Sequence, residues 1–368
     1  MSKILLVTLQ GSINIGNRLQ NYALQSVLEK IGCNISTPKY IGWEKKPSAK
    51  ERVKNIIRIC LGALHVSRFR FAYSFARRIR RFKQFDKKHI HGSFELTFSD
   101  AFCMDWSGFD AAICGSDQVW YKGYGADKEL EFFYLMFMPQ HKRYTYAPSF
   151  GFEKFREDTV QIHKDGLLGI RKLSCREQSG QEMIRELTGR EAVLLCDPTL
   201  LIDAEEWSQI ARRPAYLVPK HFALEYYVVD VESEVRQKVK EFAREKGITI
   251  INIYDQEELE HYCTSPEEFL WLVKNADYIL TNSFHGCVFA ILFHKNFIVF
   301  RRGNEETDTM FDRIRTILGT FGMEQRIYNG NIDVVEEMVD VNAIEKALTL
   351  QRAEAQRYLE ECACLWRQ

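Results

Sequence analysis

The chain carries no excess of either charge, since fifty Lys and Arg balance fifty Asp and Glu across 368 residues. That balance excludes the strongly basic footprint of a dedicated nucleic-acid binder, so no nucleic-acid partner is expected and any charge function is local. Long apolar runs are also missing. The opening Met1-Ser-Lys-Ile-Leu-Leu-Val-Thr-Leu9 turns polar too soon for a secretory signal or a membrane span. The ten cysteines include no C-x-x-C pair, and Cys33, Cys114, Cys196 and Cys287 sit inside apolar runs as small hydrophobes. Reduced thiols without a signal predict a cytoplasmic protein. The lone C-x-C of Cys362 and Cys364 lacks partners for a metal, and packing is the better reading. With no H-E-x-x-H, paired histidines or carboxylate cluster, no metal is expected, and without G-x-S-x-G a serine hydrolase is not indicated.

What is present is enough apolar material, 46% of residues, to build real cores. The length exceeds what one core usually organises and implies two domains with a cleft between them. Strand-length apolar runs alternate with helical patterns, the signature of β-α-β units and parallel sheets, so the fold class is α/β. In the first half the expected strands are 4–8, 34–38, 111–114, 143–147, 172–175 and 193–196; in the second half they are 226–231, 249–254, 278–281 and 296–300. Ser265 caps a helix that Pro266 opens. The pattern breaks over 203–219, which gives expected domains of 1–205 and 206–340. A helix over 341–368 would cross back to the first lobe. Between Lys50 and Lys88 stand thirteen Lys or Arg and two acids, interleaved with Ile and Phe. This basic segment is either a pair of solvated helices or a peripheral contact with an anionic membrane face.

The most informative stretch is Tyr278-Ile-Leu-Thr-Asn-Ser-Phe-His-Gly286, where a buried strand becomes a buried helix. Unpaired N–H groups and the helix dipole make such a junction suited to an anion. There His285 would exchange a proton near neutral pH, Ser283 would lie beside it, and Gly286 would let a ligand approach the backbone. The alternative is an ordinary turn with an inert histidine. After the first strand, Gly11 to Gln25 forms a glycine-containing turn into a helix, yet it matches neither a Walker loop nor G-x-G-x-x-G. Asn17, Arg18 and Asn21 on its first turns would reach a polar ligand, or Arg18 is a surface arginine beside a cap.

Gly115-Ser-Asp-Gln-Val-Trp120 follows strand 111–114, so at the carboxyl end of a strand Asp117 would orient a sugar hydroxyl or act as a catalytic base toward it, or else Ser116 or Asp117 caps a helix. Ser174-Cys-Arg-Glu177 offers the Arg176 fork, suited to carboxylate or phosphate, with Glu177 as its alternative partner. Asp197-Pro198 reads as a turn and is left outside the site. Lys295, Arg301, Arg302 and Arg313 form a second-lobe basic group that suggests a multiply anionic small molecule.

In order, Gly16-Asn-Arg-Leu-Gln-Asn-Tyr-Ala-Leu-Gln25, Gly115-Ser-Asp-Gln-Val-Trp120, Tyr146-Ala-Pro-Ser-Phe-Gly151, Ser174-Cys-Arg-Glu-Gln-Ser-Gly180, Asp197-Pro-Thr-Leu-Leu201 and Thr281-Asn-Ser-Phe-His-Gly286 resemble the polysaccharide pyruvyl transferase family. The resemblance implies two Rossmann-like lobes in a GT-B-like arrangement with an interlobe cleft. It also implies transfer of pyruvate from phosphoenolpyruvate, a co-substrate and not a bound cofactor, onto two hydroxyls of a sugar or lipid-linked oligosaccharide as a cyclic ketal. By that similarity His285 corresponds to an essential histidine and Arg176 to an arginine that holds the donor. Asn282, Ile15 and Asn296 depart from the family's usual aspartate, tyrosine and proline, and these departures bear on the acceptor. Two other classes share features with this pattern: a GT-B glycosyltransferase with a nucleotide-sugar donor, and a noncatalytic glycan-binding subunit.

Overall fold

A computed structural model describes residues 1–10, 13–40, 66–121, 127–302 and 311–366. Its first lobe is a parallel sheet in the order β2-β1-β5-β6, formed by β1 (Ser2–Val7), β2 (Cys33–Ser36), β5 (Ala111–Cys114) and β6 (Arg143–Thr145). Two short parallel pairs flank it: β3 (Pro38–Tyr40) with β4 (Phe94–Leu96), and β7 (Ser174–Cys175) with β8 (Val193–Leu194). The second lobe has the order β10-β9-β11-β12, from β9 (Phe222–Tyr226), β10 (Thr249–Asn252), β11 (Tyr278–Thr281) and β12 (Asn296–Val299). Central strands such as Leu5-Leu6-Val7 and Ala111 to Cys114 are buried on both faces, which explains why they read as continuous apolar runs without alternation.

One expected strand is displaced. Residues 227–231 follow β9 as a loop, because the Asn282 side chain holds them in place of a ladder: Val228 N–H donates to Asn282 Oδ1 at 2.8 Å, and Asn282 Nδ2 donates to Val229 O at 2.5 Å. The strand proper starts earlier, at Phe222, whose N–H donates to Asp277 Oδ2 at 2.9 Å.

The helix Ile15–Lys30 begins where Asn14 Oδ1 accepts Asn17 N–H, and it buries Ile15, Leu19 and Ala23 in a core shared with Phe284, Cys287 and Val288 of the second lobe. The helix Ala204–Ile210, capped by Asp203, spans the expected boundary at 205/206, and its Trp207 packs on Tyr22 and Phe289. The helix Pro266–Asn275 carries a full capping box between Ser265 and Glu268. The final helix, Val341–Trp366, places Ile344 and Leu348 in the core that holds the second-lobe strands. It then crosses to the first lobe, where Tyr358, Leu359, Cys362 and Trp366 are buried and Tyr358 Oη donates to Thr145 O at 2.8 Å.

Residues 50–65 of the basic segment lie outside the described residues. The rest is in the helix Val66–His89, and it is not a simple solvated helix. Arg78 is fully buried and donates to the Ile253 carbonyl at 2.9 Å and to the Tyr262 carbonyl, while Arg81 pairs with Glu268 and Arg77 with Glu260. Three arginines of this helix therefore tie it to the second lobe. No helix among the described residues is long and apolar enough to cross a membrane.

Candidate functional site

Three strand ends converge on one buried cluster. Asp117 follows β5, Arg176 follows β7 and His285 lies on the first turn of the helix Phe284–Leu292 after β11. Arg176 is 4% exposed and lies between two carboxylates: Nη2 is 3.2 Å from Asp117 Oδ1, and Nη1 donates to Asp197 Oδ2. The same Asp197 oxygen is 3.8 Å from His285 Nε2, so first-lobe and second-lobe groups meet on one atom. Arg313 approaches from the helix Asp312–Thr320, with Nη1 3.5 Å from Asp117 Oδ1, and Asn17 Nδ2 donates to Asp117 Oδ2.

The electrostatics follow from burial set against this charge pattern. Burial pushes the Asp117 carboxyl up, but neighbouring positive charge, Arg176 first, then the His285 cation when it forms, then Arg313, outweighs it and holds it at about 2, so the group is an ionised hydrogen-bond acceptor and a weak base. Burial lowers the Arg176 value, yet Asp197 and Asp117 raise it further and keep the guanidinium charged. Arg313 is lowered to about 10 by burial and by Arg176, and it too stays cationic at neutral pH. Burial lowers His285 below its ordinary value; Asp197 and Asp117 oppose this, and Arg176 and Arg313 add to it. The resting imidazole is therefore mostly neutral near pH 7. Its Nε2 has no hydrogen-bond partner among the described residues, and neither have Nε of Arg176 and Nε of Arg313. These buried polar atoms are available to a ligand.

Several expected residues lie elsewhere. Arg18 is buried and paired with Asp86, with Nε–Oδ1 at 3.1 Å, and stands with Asn17 and Asn21 on a small hollow, where of these three only Asn17 reaches Asp117. Lys295 precedes β12 and donates to the Ala276 carbonyl at 3.0 Å. That places it at the amino end of the strands, whereas His285 follows their carboxyl end, a four-residue strand length of about 13 Å along the sheet. Arg301 is exposed with its guanidinium over the Phe311 ring, and Arg302 donates to the Asn282 carbonyl. Ser283 is the buried residue before the histidine helix, and its N–H donates to Thr281 Oγ1 at 3.0 Å. Gly286 does not open the backbone to a ligand, because a Cβ there would collide with Thr281 Oγ1, so its role is close helix-to-strand packing.

Asp197 is the residue that sequence reasoning missed. Its Oδ1 does serve the turn, accepting Thr199 N–H at 3.0 Å, but Oδ2 faces Arg176 and His285. Phe284 was missed as well. Its ring lies under both guanidiniums, 4.5 Å from Arg176 and 5.6 Å from Arg313. Glu177 does not pair closely with Arg176; it accepts Phe150 N–H at 2.7 Å, and burial raises its carboxyl against the pull of Arg176 and Arg313.

The fold is similar to that of a putative UDP-N-acetylglucosamine 2-epimerase from Listeria monocytogenes, with TM-score 0.50, 9% identity and coverage of 98% of this chain and 95% of that one. The UDP-GlcNAc 2-epimerase from Methanocaldococcus jannaschii gives TM-score 0.48 at 12% identity, covering 95% and 99%. Alr3699/HepE of Anabaena, in complex with UDP and glucose, gives 0.47 at 10%, covering 98% and 100%. The likeness at TM-score 0.50 concerns architecture alone, two Rossmann-like lobes in a GT-B-like arrangement. No curated protein matches the chain. The model of the family described as polysaccharide pyruvyl transferase matches residues 14–304, a span that includes Asn17, Asp117, Arg176, Asp197 and His285. The chain belongs to the polysaccharide pyruvyl transferase family.

Proposed function

We propose that this transferase moves the pyruvyl group of phosphoenolpyruvate onto two hydroxyls of a sugar, in a polysaccharide or lipid-linked glycan precursor, as a cyclic ketal. The observation that carries the reading is the convergence of Arg176 and His285 on Oδ2 of Asp197, with Arg313 beside Asp117. A small donor with a carboxylate and a phosphate matches two neighbouring guanidiniums whose Nε atoms lack partners.

In the reaction, a proton adds to the methylene carbon of the donor and leaves C2 electron-poor. One sugar hydroxyl attacks C2 and gives up its proton. Phosphate then departs with the C–O bonding pair, and the second hydroxyl closes the ring and releases its own proton. His285 is the proton-transfer group. Its resting imidazole is held neutral by burial, and an arriving polyanion would raise its proton affinity, so donor binding itself would arm the acid. Asp117, ionised under all ordinary conditions, would accept hydrogen bonds from the sugar hydroxyls and set their position. Arg176 and Arg313 would hold the donor.

The outward side of the helix Val66–His89 exposes Arg70, Arg80, Lys83, Lys87 and Lys88 without an acid among them. It would rest on an anionic membrane face where a lipid-linked acceptor is held. Absence of flotation with anionic liposomes at low salt would remove that part.

The central experiment incubates the protein with phosphoenolpyruvate and a glycan panel and measures released phosphate together with the mass of added pyruvate. His285→Ala should lower turnover by roughly a hundredfold to ten-thousandfold. Near-normal activity of that variant would overturn the assignment. Thermal stabilisation by phosphoenolpyruvate but not by nucleotide sugars would separate this reading from a glycosyltransferase.

A further inference from the structure

A hollow of about 740 Å3 lies in the second lobe at the carboxyl ends of β9 and β10, where open parallel sheets place ligand sites. Its inner wall is polar and buried. Glu225, 4% exposed, accepts from Asn252 Nδ2 at 2.9 Å, and burial raises its carboxyl against the nearby Arg236. Tyr227, also 4% exposed, lines the hollow; its buried hydroxyl completes no hydrogen bond of good geometry among the described residues, and the carboxylate it lies nearest is that of Glu225. A buried hydroxyl left in this state costs stability unless something else satisfies it.

The charge of the lining selects the occupant. Among the described residues that line it, Glu225, Asp230, Asp255, Glu257 and Glu258 stand against Arg236 and Lys240, and Arg236 is already paired with Asp230. Burial disfavours the His261 cation, against the pull of Glu258, Asp255 and Glu260. A nucleoside diphosphate or any phosphate would be repelled from such a wall. Among the described residues, no group of acidic, histidine or cysteine side chains is placed to hold a metal ion. Hydroxyl groups suit the site: carboxylates and the side-chain oxygens of Asn252 and Gln256 accept from them, and the Tyr227 hydroxyl can donate.

One latch ties the hollow to the chain segment that leads to His285. Val228 lines the hollow, and the loop that carries Val228 and Val229 is latched by Asn282, just before His285. Both valines are 41–45% exposed.

We propose that this hollow is a second glycan subsite, which holds uncharged sugar residues of the acceptor beyond the pair of hydroxyls that receives pyruvate. The proposal rests on the reading of the chain as a transferase acting on a glycan. Crystals soaked separately in glucose, galactose, mannose, N-acetylglucosamine and UDP test it directly. The expected result is density for at least one sugar on Glu225 and Asn252 and none for UDP. Sugar density absent from the hollow in all four soaks, or UDP bound there, would overturn the subsite. In solution, the exposed double variant Glu257→Lys/Glu258→Lys and, separately, Asn252→Ala should weaken calorimetric binding of that sugar about tenfold or more, or 1.4 kcal/mol. Their stabilisation by phosphoenolpyruvate should match wild type. Unchanged sugar affinity in both variants would count against the subsite, whereas loss of the wild-type phosphoenolpyruvate effect would count against pyruvyl transfer alone.

Discussion

Gly16, on the first turn of a first-lobe helix, lies directly against the imidazole of His285 from the second lobe: a Cβ on residue 16 would run into His285 Nδ1. The lobes thus approach so closely at the reaction cluster that one hydrogen in place of a methyl sets the position of the ring. Gly16→Ala should lower kcat by about tenfold to a hundredfold, since a misplaced group of about 1 Å has that effect. Circular dichroism should show an intact fold. Wild-type turnover in this variant would mean the ring position does not matter.

The imidazole of His285 should titrate below 6.5 in the free protein, because burial, Arg176 and Arg313 disfavour its cation. Bound phosphoenolpyruvate should shift the midpoint upward. An NMR titration of the ring with and without donor measures both, and a downward shift on binding would contradict the proposed proton donor.

Arg176→Lys should raise KM for the donor with a smaller effect on kcat, because an ammonium keeps the charge between Asp117 and Asp197 but loses the planar fork. Arg176→Ala is expected to destabilise the protein by about 3–5 kcal/mol, as it leaves two buried carboxylates uncompensated. Equal melting temperatures for the two variants would argue against that account.

His163 predicts an acid-sensitive fold. It is fully buried beside Tyr134 Oη at 2.7 Å, and burial lowers it from 6.5 to about 4. The unfolded chain therefore binds more protons in this window, so stability is intact above pH 6.5 and falls as pH drops toward 4. The loss is about 3 kcal/mol for this group. His163→Gln should flatten that part of the denaturation profile, and an unchanged slope would exclude His163 as its source.

Arg78 should be a stability residue without a catalytic role. It reaches the Ile253 and Tyr262 carbonyls and lies over the rings of Tyr254 and Tyr262 at 4.6 and 4.8 Å. Arg78→Met should cost about 2–4 kcal/mol in urea unfolding, because two buried carbonyls lose a charged donor. KM for phosphoenolpyruvate should not change.

Much of this protein is legible in its sequence. Runs such as Ala111 to Cys114 and Tyr278 to Thr281 announce buried parallel strands, because a strand covered on both faces needs apolar side chains at every position. The loops at their carboxyl ends announce Asp117, Arg176 and His285 as polar residues at strand ends. Ser265-Pro-Glu-Glu268 sets its helix start through local hydrogen bonds alone. Charge balance and the missing motifs narrow the chemistry further.

Tertiary structure alone decided which polar side chains face one another. Asp197 and Thr199 form a turn in any fold, but only the approach of β7 and the histidine helix gives Oδ2 its second task. Arg18 and Lys295 look as available as Arg176 in one dimension, yet distant Asp86 and the Ala276 carbonyl take them. The Tyr226-Tyr227-Val228-Val229 run reads as a strand until Asn282, far along the chain, captures its backbone. Apolar periodicity is fixed by neighbours a few residues away and survives in the sequence. Pairing of buried charges depends on distances between segments far apart in the chain, and these exist only once the lobes have packed.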